Sequence, residues 1–105
     1  MNLPSQGDIW WAEIEDAGRR PALIVTRDAA IGVLRTVLVA PITRTVRGIP
    51  TEVAIGPEDG LAHECAASFD NLRLVPRSVL TERAGRLSGT KALELCRALR
   101  AVGDC

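Results

Sequence analysis

Two residues of this chain are suited to act together on a phosphate, Arg20 and Thr43. A guanidinium offers a planar fork of donors that can engage two oxygens at once, and a threonine hydroxyl adds one more. Each residue stands at the end of an apolar, β-rich run. Arg20 opens the run in Gly18-Arg19-Arg20-Pro21-Ala22-Leu23-Ile24-Val25-Thr26, and Thr43 closes Val37-Leu38-Val39-Ala40-Pro41-Ile42-Thr43. If the runs are neighbouring strands, guanidinium and hydroxyl meet at one end of the sheet. Asp70 and Asn71 are candidates to support them, Asp70 as a base or as a brace for Arg20, although Asp-Asn pairs ordinarily make an Asx turn. Arg19, Arg44 and Arg47 are candidate phosphate contacts, and most simply solvated charges. Trp10 and Trp11 point to opposite faces of a strand, so one belongs to the core and the other could stack on a base or pack at a dimer contact. His63 is the only histidine, and one imidazole does not supply the paired acid and base of many nucleases.

The elements that must position these groups are limited by composition. A chain of 105 residues makes one domain. Apolar residues are 47% of it, but with two Trp, one Phe and no Tyr the core must be aliphatic. No apolar run approaches the ~18 residues that span a bilayer. The start of the chain has neither a basic segment nor an apolar h-region, which leads us to expect a cytoplasmic protein. Cys65, Cys96 and Cys105 lack metal-ligand spacing and read as reduced thiols, two packed and one at the end. Net charge is zero, yet the charges fall in blocks. Residues 1–16 hold four acids and no base; residues 17–50 hold six Arg and one acid, Asp28. Residues 51–70 hold five acids and no base, and residues 71–105 hold seven bases and three acids. Twelve of the thirteen bases are Arg, the residue suited to bidentate phosphate contact. A fold that gathers them gives a local positive face despite the zero sum.

In chain order, residues 9–14 read as a strand, residues 15–18 as a tight turn, and residues 22–26 as the returning strand of a hairpin. Residues 27–32 allow one helical turn. Residues 34–42 form the next strand, with Pro41 marking an edge or bulge. A polar loop over residues 43–50 leads to a strand over residues 51–55, a turn at residues 56–60 and a strand over residues 64–69. Short strands follow at residues 72–75 and 82–87, around a helical turn at residues 76–80. Residues 88–102 make the clearest helix, capped by Ser88 or Thr90, with Ala92, Leu95, Cys96, Leu99 and Val102 on one apolar stripe. Six or seven short strands and one terminal helix predict a bent antiparallel sheet or small barrel closed by that helix.

Four segments taken in order resemble the MazF/PemK family of toxin endoribonucleases. They are Gly7-Asp8-Ile9-Trp10-Trp11, Gly18-Arg19-Arg20-Pro21-Ala22-Leu23-Ile24-Val25, Val39-Ala40-Pro41-Ile42-Thr43 and Arg47-Gly48-Ile49-Pro50-Thr51-Glu52-Val53. Ser68-Phe69-Asp70-Asn71-Leu72-Arg73 resembles the family's Cys-Asp-Gln-Ile/Leu-Arg segment, and Arg83-Ala84-Gly85-Arg86-Leu87-Ser88 its strand before the last helix. The resemblance spans nearly the whole chain, so residues 1–105 read as a single toxin domain. It implies an SH3-like barrel of the plasmid-maintenance-toxin type, mainly β with a C-terminal helix. It implies a homodimer that cuts single-stranded RNA at chosen sequences, without a metal or cofactor, and a MazE-like antitoxin. It carries the catalytic arginine onto Arg20 and the catalytic hydroxyl onto Thr43. Arg19, Arg44, Arg47 and Trp11 become candidate RNA contacts, with Asp70 and Asn71 in support. Two departures stand out. The first loop, residues 15–19, is shorter than in many members, and Ser68 replaces a basic residue found in some.

Cleavage by the RNA's own 2′-hydroxyl requires that oxygen deprotonated, the phosphorane charge stabilised and the 5′-oxygen protonated. Arg20 suits the second task, and its pKa above ~12 makes it a poor base. The family chemistry would yield a 2′,3′-cyclic phosphate and a 5′-hydroxyl. A same-fold binding toxin acting on DNA gyrase, or a silent RNA-binding member, is the alternative. The gyrase-directed branch usually ends in an aromatic and acidic tail, whereas this chain ends Arg100-Ala101-Val102-Gly103-Asp104-Cys105.

Overall fold

A computed structural model describes residues 3–16 and 18–103. β1 (Asp8–Ile14) and β2 (Gly18–Ile24) form a hairpin in which Ile9 pairs with Leu23 and Ile14 with Gly18. Asp16 and Gly18, both at positive φ (76° and 74°), turn the chain, a conformation that glycine adopts without strain. Ala17 and Cys105 lie outside the described residues. One turn of helix, α1 (Asp28–Ile31), leads to the long strand β3 (Thr36–Thr43). β4 (Glu52–Ile55), β5 (Cys65–Ser68), β6 (Arg73–Pro76) and β7 (Leu80–Arg86) follow, and α2 (Lys91–Gly103) ends the described chain. Short 3-10 turns at Pro57–Asp59, Phe69–Asn71 and Arg77–Val79 join the later strands.

All pairings are antiparallel, in the order β4-β5-β3-β2-β1-β7, with β6 also paired to β3. β3 therefore carries β2 along one side and two partners along the other. Thr36 to Val39 face β6, and Ile42 and Thr43 face β5. Pro41 falls where one partner gives way to the next. Register shifts along the β1–β7 pair add to the curl, as bulges do. This is the mainly β fold with a C-terminal helix that the sequence predicts, its bent antiparallel sheet curled into the half-barrel that the resemblance implies.

Both faces of the central strands are buried. Ile9, Leu23, Ala40 and Ile42 pack with Val53, Ile55, Phe69 and Leu95 beneath α2. The alternate residues Trp10, Ala12, Ile14, Ala22, Ile24, Val37 and Val39 pack with Ile31 and Val75 on the other side. Two-sided burial explains why these strands read as apolar runs without clean alternation.

Several boundaries differ from the sequence expectation. β2 begins at Gly18 and not near Ala22, because hairpin pairing to β1 extends through Arg20 and Arg19. Arg20 is thus an interior strand residue, and Val25 and Thr26, though bonded to the Leu38 carbonyl, lie beyond the strand. β7 starts at Leu80, two residues before the expected Glu82. α2 starts at Lys91, since the Ser88 N–H is taken by the Asp59 carboxylate (2.8 Å) and Gly89 turns at positive φ.

The expected apolar stripe of α2 is only half covered. Leu95 and Ala98 are buried against the sheet, whereas Ala92, Cys96, Leu99 and Val102 are exposed, and Leu93 is 68% exposed. The helix meets β4 and the Phe69–Asn71 turn along one edge of its apolar arc, which leaves the other edge bare. Cys96 is consequently exposed, not packed as expected, while Cys65 is buried.

Candidate active-site groove

β2 and β3 pair from Ile24–Val39 to Ala22–Pro41 and then part. Pro21 has no N–H to give β3 at this point, so the ladder loses a donor where the strands part. The same register carried two residues further sets Arg20 across from Thr43, in the gap between the separating strands. Arg20 shares the face of Ala12, Trp10 and Ala22, so its side chain leaves the end of the inner core and not the α2 side. Thr43 is fixed as the last residue of β3 by pairing with Ala66 of β5.

A groove of about 600 Å³ opens here, lined by Arg20, Thr43, Arg47, Asp70, Asn71 and Arg73 among others. Three arginines against one carboxylate make it a site for an anion. The hydroxyl of Thr43 accepts the Thr45 N–H (3.1 Å), which occupies a lone pair and leaves its O–H available to donate into the groove. Thr51 Oγ1 donates to Asp70 Oδ2 (2.6 Å), which sets the carboxylate and leaves Oδ1 outside that bond. Asn71 Nδ2 donates to Ser68 Oγ (2.9 Å) and so fixes the amide.

Arg47 reaches the groove from a loop without regular structure. That loop is shaped by Glu52, whose Oε1 accepts the N–H groups of Arg47 and Gly48 at 3.0 Å each. Gly48 takes φ of 67° to present its N–H, a backbone state costly for a side-chain-bearing residue.

Of the residues singled out in the sequence, Arg20, Thr43, Arg47, Asp70 and Asn71 line this groove. Arg19, Arg44 and Trp11 do not. Arg19 lies on the opposite face of β2, its guanidinium 4.7 Å from the centre of the Trp11 ring and 3.1 Å from Glu82. Trp11 is therefore half-buried under a cation, while Trp10 belongs to the core. Arg44 is exposed on the loop. Sequence reasoning passed over Arg73, which ends the Asp70-Asn71-Leu72-Arg73 segment, and Thr51 and Glu52, which hold the groove's walls. Arg73 was visible within a quoted motif. Thr51 and Glu52 stand in another of the quoted segments; Glu52 serves the N–H groups of Arg47 and Gly48 a few residues before it, whereas the partner of Thr51, Asp70, lies further along the chain.

The chain resembles proteins already described. The family model for PemK-like, MazF-like toxins of type II toxin–antitoxin systems matches residues 5–103. The probable endoribonuclease MazF5 of Mycobacterium tuberculosis (strain ATCC 25618 / H37Rv) is 41% identical over 104 residues, 98% of this chain and 95% of the relative. Among solved structures, Mycobacterium tuberculosis toxin MazF-mt6 superposes with a TM-score of 0.85 at 35% identity, covering 92% of this chain and 96% of that one. A mycobacterial endoribonuclease in complex with its cognate antitoxin gives 0.83 at 27% identity, with 94% and 93% covered. With the family model matched across almost its whole length, this chain belongs to the PemK-like, MazF-like toxins of type II toxin–antitoxin systems.

Proposed function

We propose that this toxin is an endoribonuclease, acting as one toxin domain over residues 1–105, that cuts single-stranded RNA between Arg20 and Thr43. The observation that carries the reading is the groove itself. A guanidinium and a hydroxyl 23 positions apart stand across one gap, with Arg47, Arg73 and Asp70 beside them. The named endoribonucleases among its relatives support it.

In this reading Arg20 binds two non-bridging oxygens and stabilises the charge that grows on the phosphorane. Thr43 donates to the same phosphate. Asp70 takes the proton of the 2′-hydroxyl, whose oxygen attacks phosphorus as the bond to the 5′-oxygen breaks, and the leaving 5′-oxygen takes a proton from water. The products are a 2′,3′-cyclic phosphate and a 5′-hydroxyl. Arg47 and Arg73 hold neighbouring phosphates, and Asn71 faces a base. The step routes no charge through a metal. Cutting RNA inhibits translation and growth, and a MazE-like antitoxin relieves it by covering the groove.

The protein works as a homodimer. Leu74, Leu93, Leu99 and Val102 are large apolar side chains left exposed in the single chain, which suits a contact with a second copy. Its expected place is the cytoplasm; no helix among the described residues is long and apolar enough to cross a membrane.

The test is incubation with a long, mixed-sequence single-stranded RNA in EDTA, beside Arg20→Ala, with the cut ends mapped. Discrete cuts by wild type, absent in the variant, are expected, with cyclic phosphate at the upstream ends. No cutting by folded wild type would sink the reading and turn attention to the gyrase-binding alternative.

A further inference from the structure

A second groove, larger than the first at about 1500 Å³, lies at the other end of β3. Asp8 and Trp10 of β1 form its buried floor. Arg83 and Arg86 of β7 stand on one side. Arg35, just before β3, and Arg77, just after β6, stand on the other. The Arg77 N–H donates to the Arg35 carbonyl at 2.8 Å, which fixes these two residues next to each other.

The acids here are already committed. Asp8 takes Arg86 at 2.6 Å and Arg83 at 3.6 Å on one oxygen, and Trp10 Nε1 (3.3 Å) and the Ser5 N–H (2.9 Å) on the other. Glu82 turns to Arg19 (3.1 Å), which is not in the groove lining. Among the described residues no carboxylate pairs with Arg35 or Arg77. The Arg77 Nε is buried and has no hydrogen-bond partner. Such a donor destabilises the fold unless something supplies an acceptor.

We infer that this groove binds the phosphodiester backbone of the RNA substrate, away from the bond that is cut. Guanidinium pairs match phosphate oxygens in plane and in charge. The backbone repeats the same anion along its length, so two separate arginine pairs can engage one strand without reading its bases. β3 runs from one groove to the other, about 23 Å for seven steps along a strand. A substrate strand lying over that length is held at both ends. The identity of the anion rests on the ribonuclease reading; the existence of the site rests on Arg35, Arg77 and the saturation of Asp8.

The test uses the full chain with Thr43→Ala, read at times short enough that its slowed cleavage leaves the RNA whole. Into it go Arg35→Gln and Arg77→Gln together, with circular dichroism to verify the fold. Binding of a labelled long single-stranded RNA is followed over a range of KCl, beside a short RNA that fills only one groove. Loss of two phosphate contacts should weaken the long RNA at least ~10-fold and lessen the slope of log affinity on log salt by about 1.4. The short RNA should bind as before, and Arg35→Lys with Arg77→Lys should restore the slope. An unchanged slope overturns the proposal, as does equal loss on short and long RNA, which marks a general charge effect or a site for free phosphate. So does weakened binding of an acidic antitoxin peptide with RNA binding intact, which gives the groove to a protein. Because binding is read without cleavage, failure of the ribonuclease reading shows separately, as wild type that binds long RNA and leaves it whole.

Discussion

Replacing Asp59 with alanine should destabilise the fold by about 3–4 kcal/mol, more than any surface change. Its side chain is 0% exposed and gathers three donors. They are the N–H of Gly56 (2.9 Å), the N–H of Ser88 (2.8 Å) and the Lys91 ammonium (2.7 Å). Alanine leaves the buried Gly56 N–H and the part-buried Ser88 N–H unpaired, at the low end about 1 kcal/mol each. The lost ion pair adds about 1–2 kcal/mol, discounted because Lys91 is 17% exposed and keeps Glu58 at 2.7 Å. Lys91→Met should cost about 1–2 kcal/mol, since Asp59 then retains its two backbone donors. The pair should be non-additive by a similar amount, because both side chains serve one network. Urea unfolding of the four proteins of the cycle, with a common m-value, measures this directly. A domain of this size has about 5–15 kcal/mol in total, so the loss is large. An Asp59→Ala cost below about 1 kcal/mol, or strict additivity with Lys91→Met, would refute the view that this network pins α2 to the β4–β5 connection.

The same network has a pH signature. Burial pushes the Asp59 carboxyl up, but hydrogen bonds from Lys91, Gly56 and Ser88 together outweigh it and hold the group below its ordinary value. Its contribution is therefore full above the unfolded value of about 3.9 and is lost as pH falls through the lower folded one. For Lys91, burial pulls the ammonium down, and the bonds to Asp59 and Glu58 overcome it and raise it. That share is full below about 10.4 and disappears as pH rises through the higher folded value. Urea midpoints measured from acid to neutral pH should fall steeply in acid for wild type and less so for Asp59→Asn. At Gly85 an added methyl would press into the Asp59 carbonyl oxygen, so Gly85→Ala should cost about 1–3 kcal/mol in the same assay. Thr43→Ala should lower the RNA cleavage rate about 100-fold while Thr43→Ser retains most of it, which single-turnover assays on labelled RNA would show. Leu93→Asp with Leu99→Asp should move a dimer to monomer on gel filtration; a dimer that survives both changes would place the contact elsewhere.

The local order of the chain was legible because its signals are short-range. The β1–β2 hairpin follows from Gly18 beside a short polar turn, and the strands from β-branched runs bounded by Gly and Pro. The nearness of Arg20 and Thr43 was equally visible, since each is a polar residue at one end of an apolar run and the two runs read as neighbouring strands. The starts of β2 and β7 were not legible, because their first residues are exposed or half-buried and are held in the strand by pairing to β1.

What only the tertiary structure decided are the relations between residues far apart in the chain. Asp59 and Lys91, separated by 32 positions, give α2 its start and its docked edge, and neither residue announces the other. The face of α2 that packs was not the centre of its apolar stripe: Leu95 and Ala98 are buried where the helix meets β4 and the Phe69–Asn71 turn. Arg73 enters the first groove, and Arg35 and Arg77 the second, by the pairing of β6 with β3. A sequence states which side chains can bind phosphate; the fold decides which of them share one groove and which are already spent on a neighbouring acid. Coulombic pairing acts through space, and its partners cannot be read from positions along the chain.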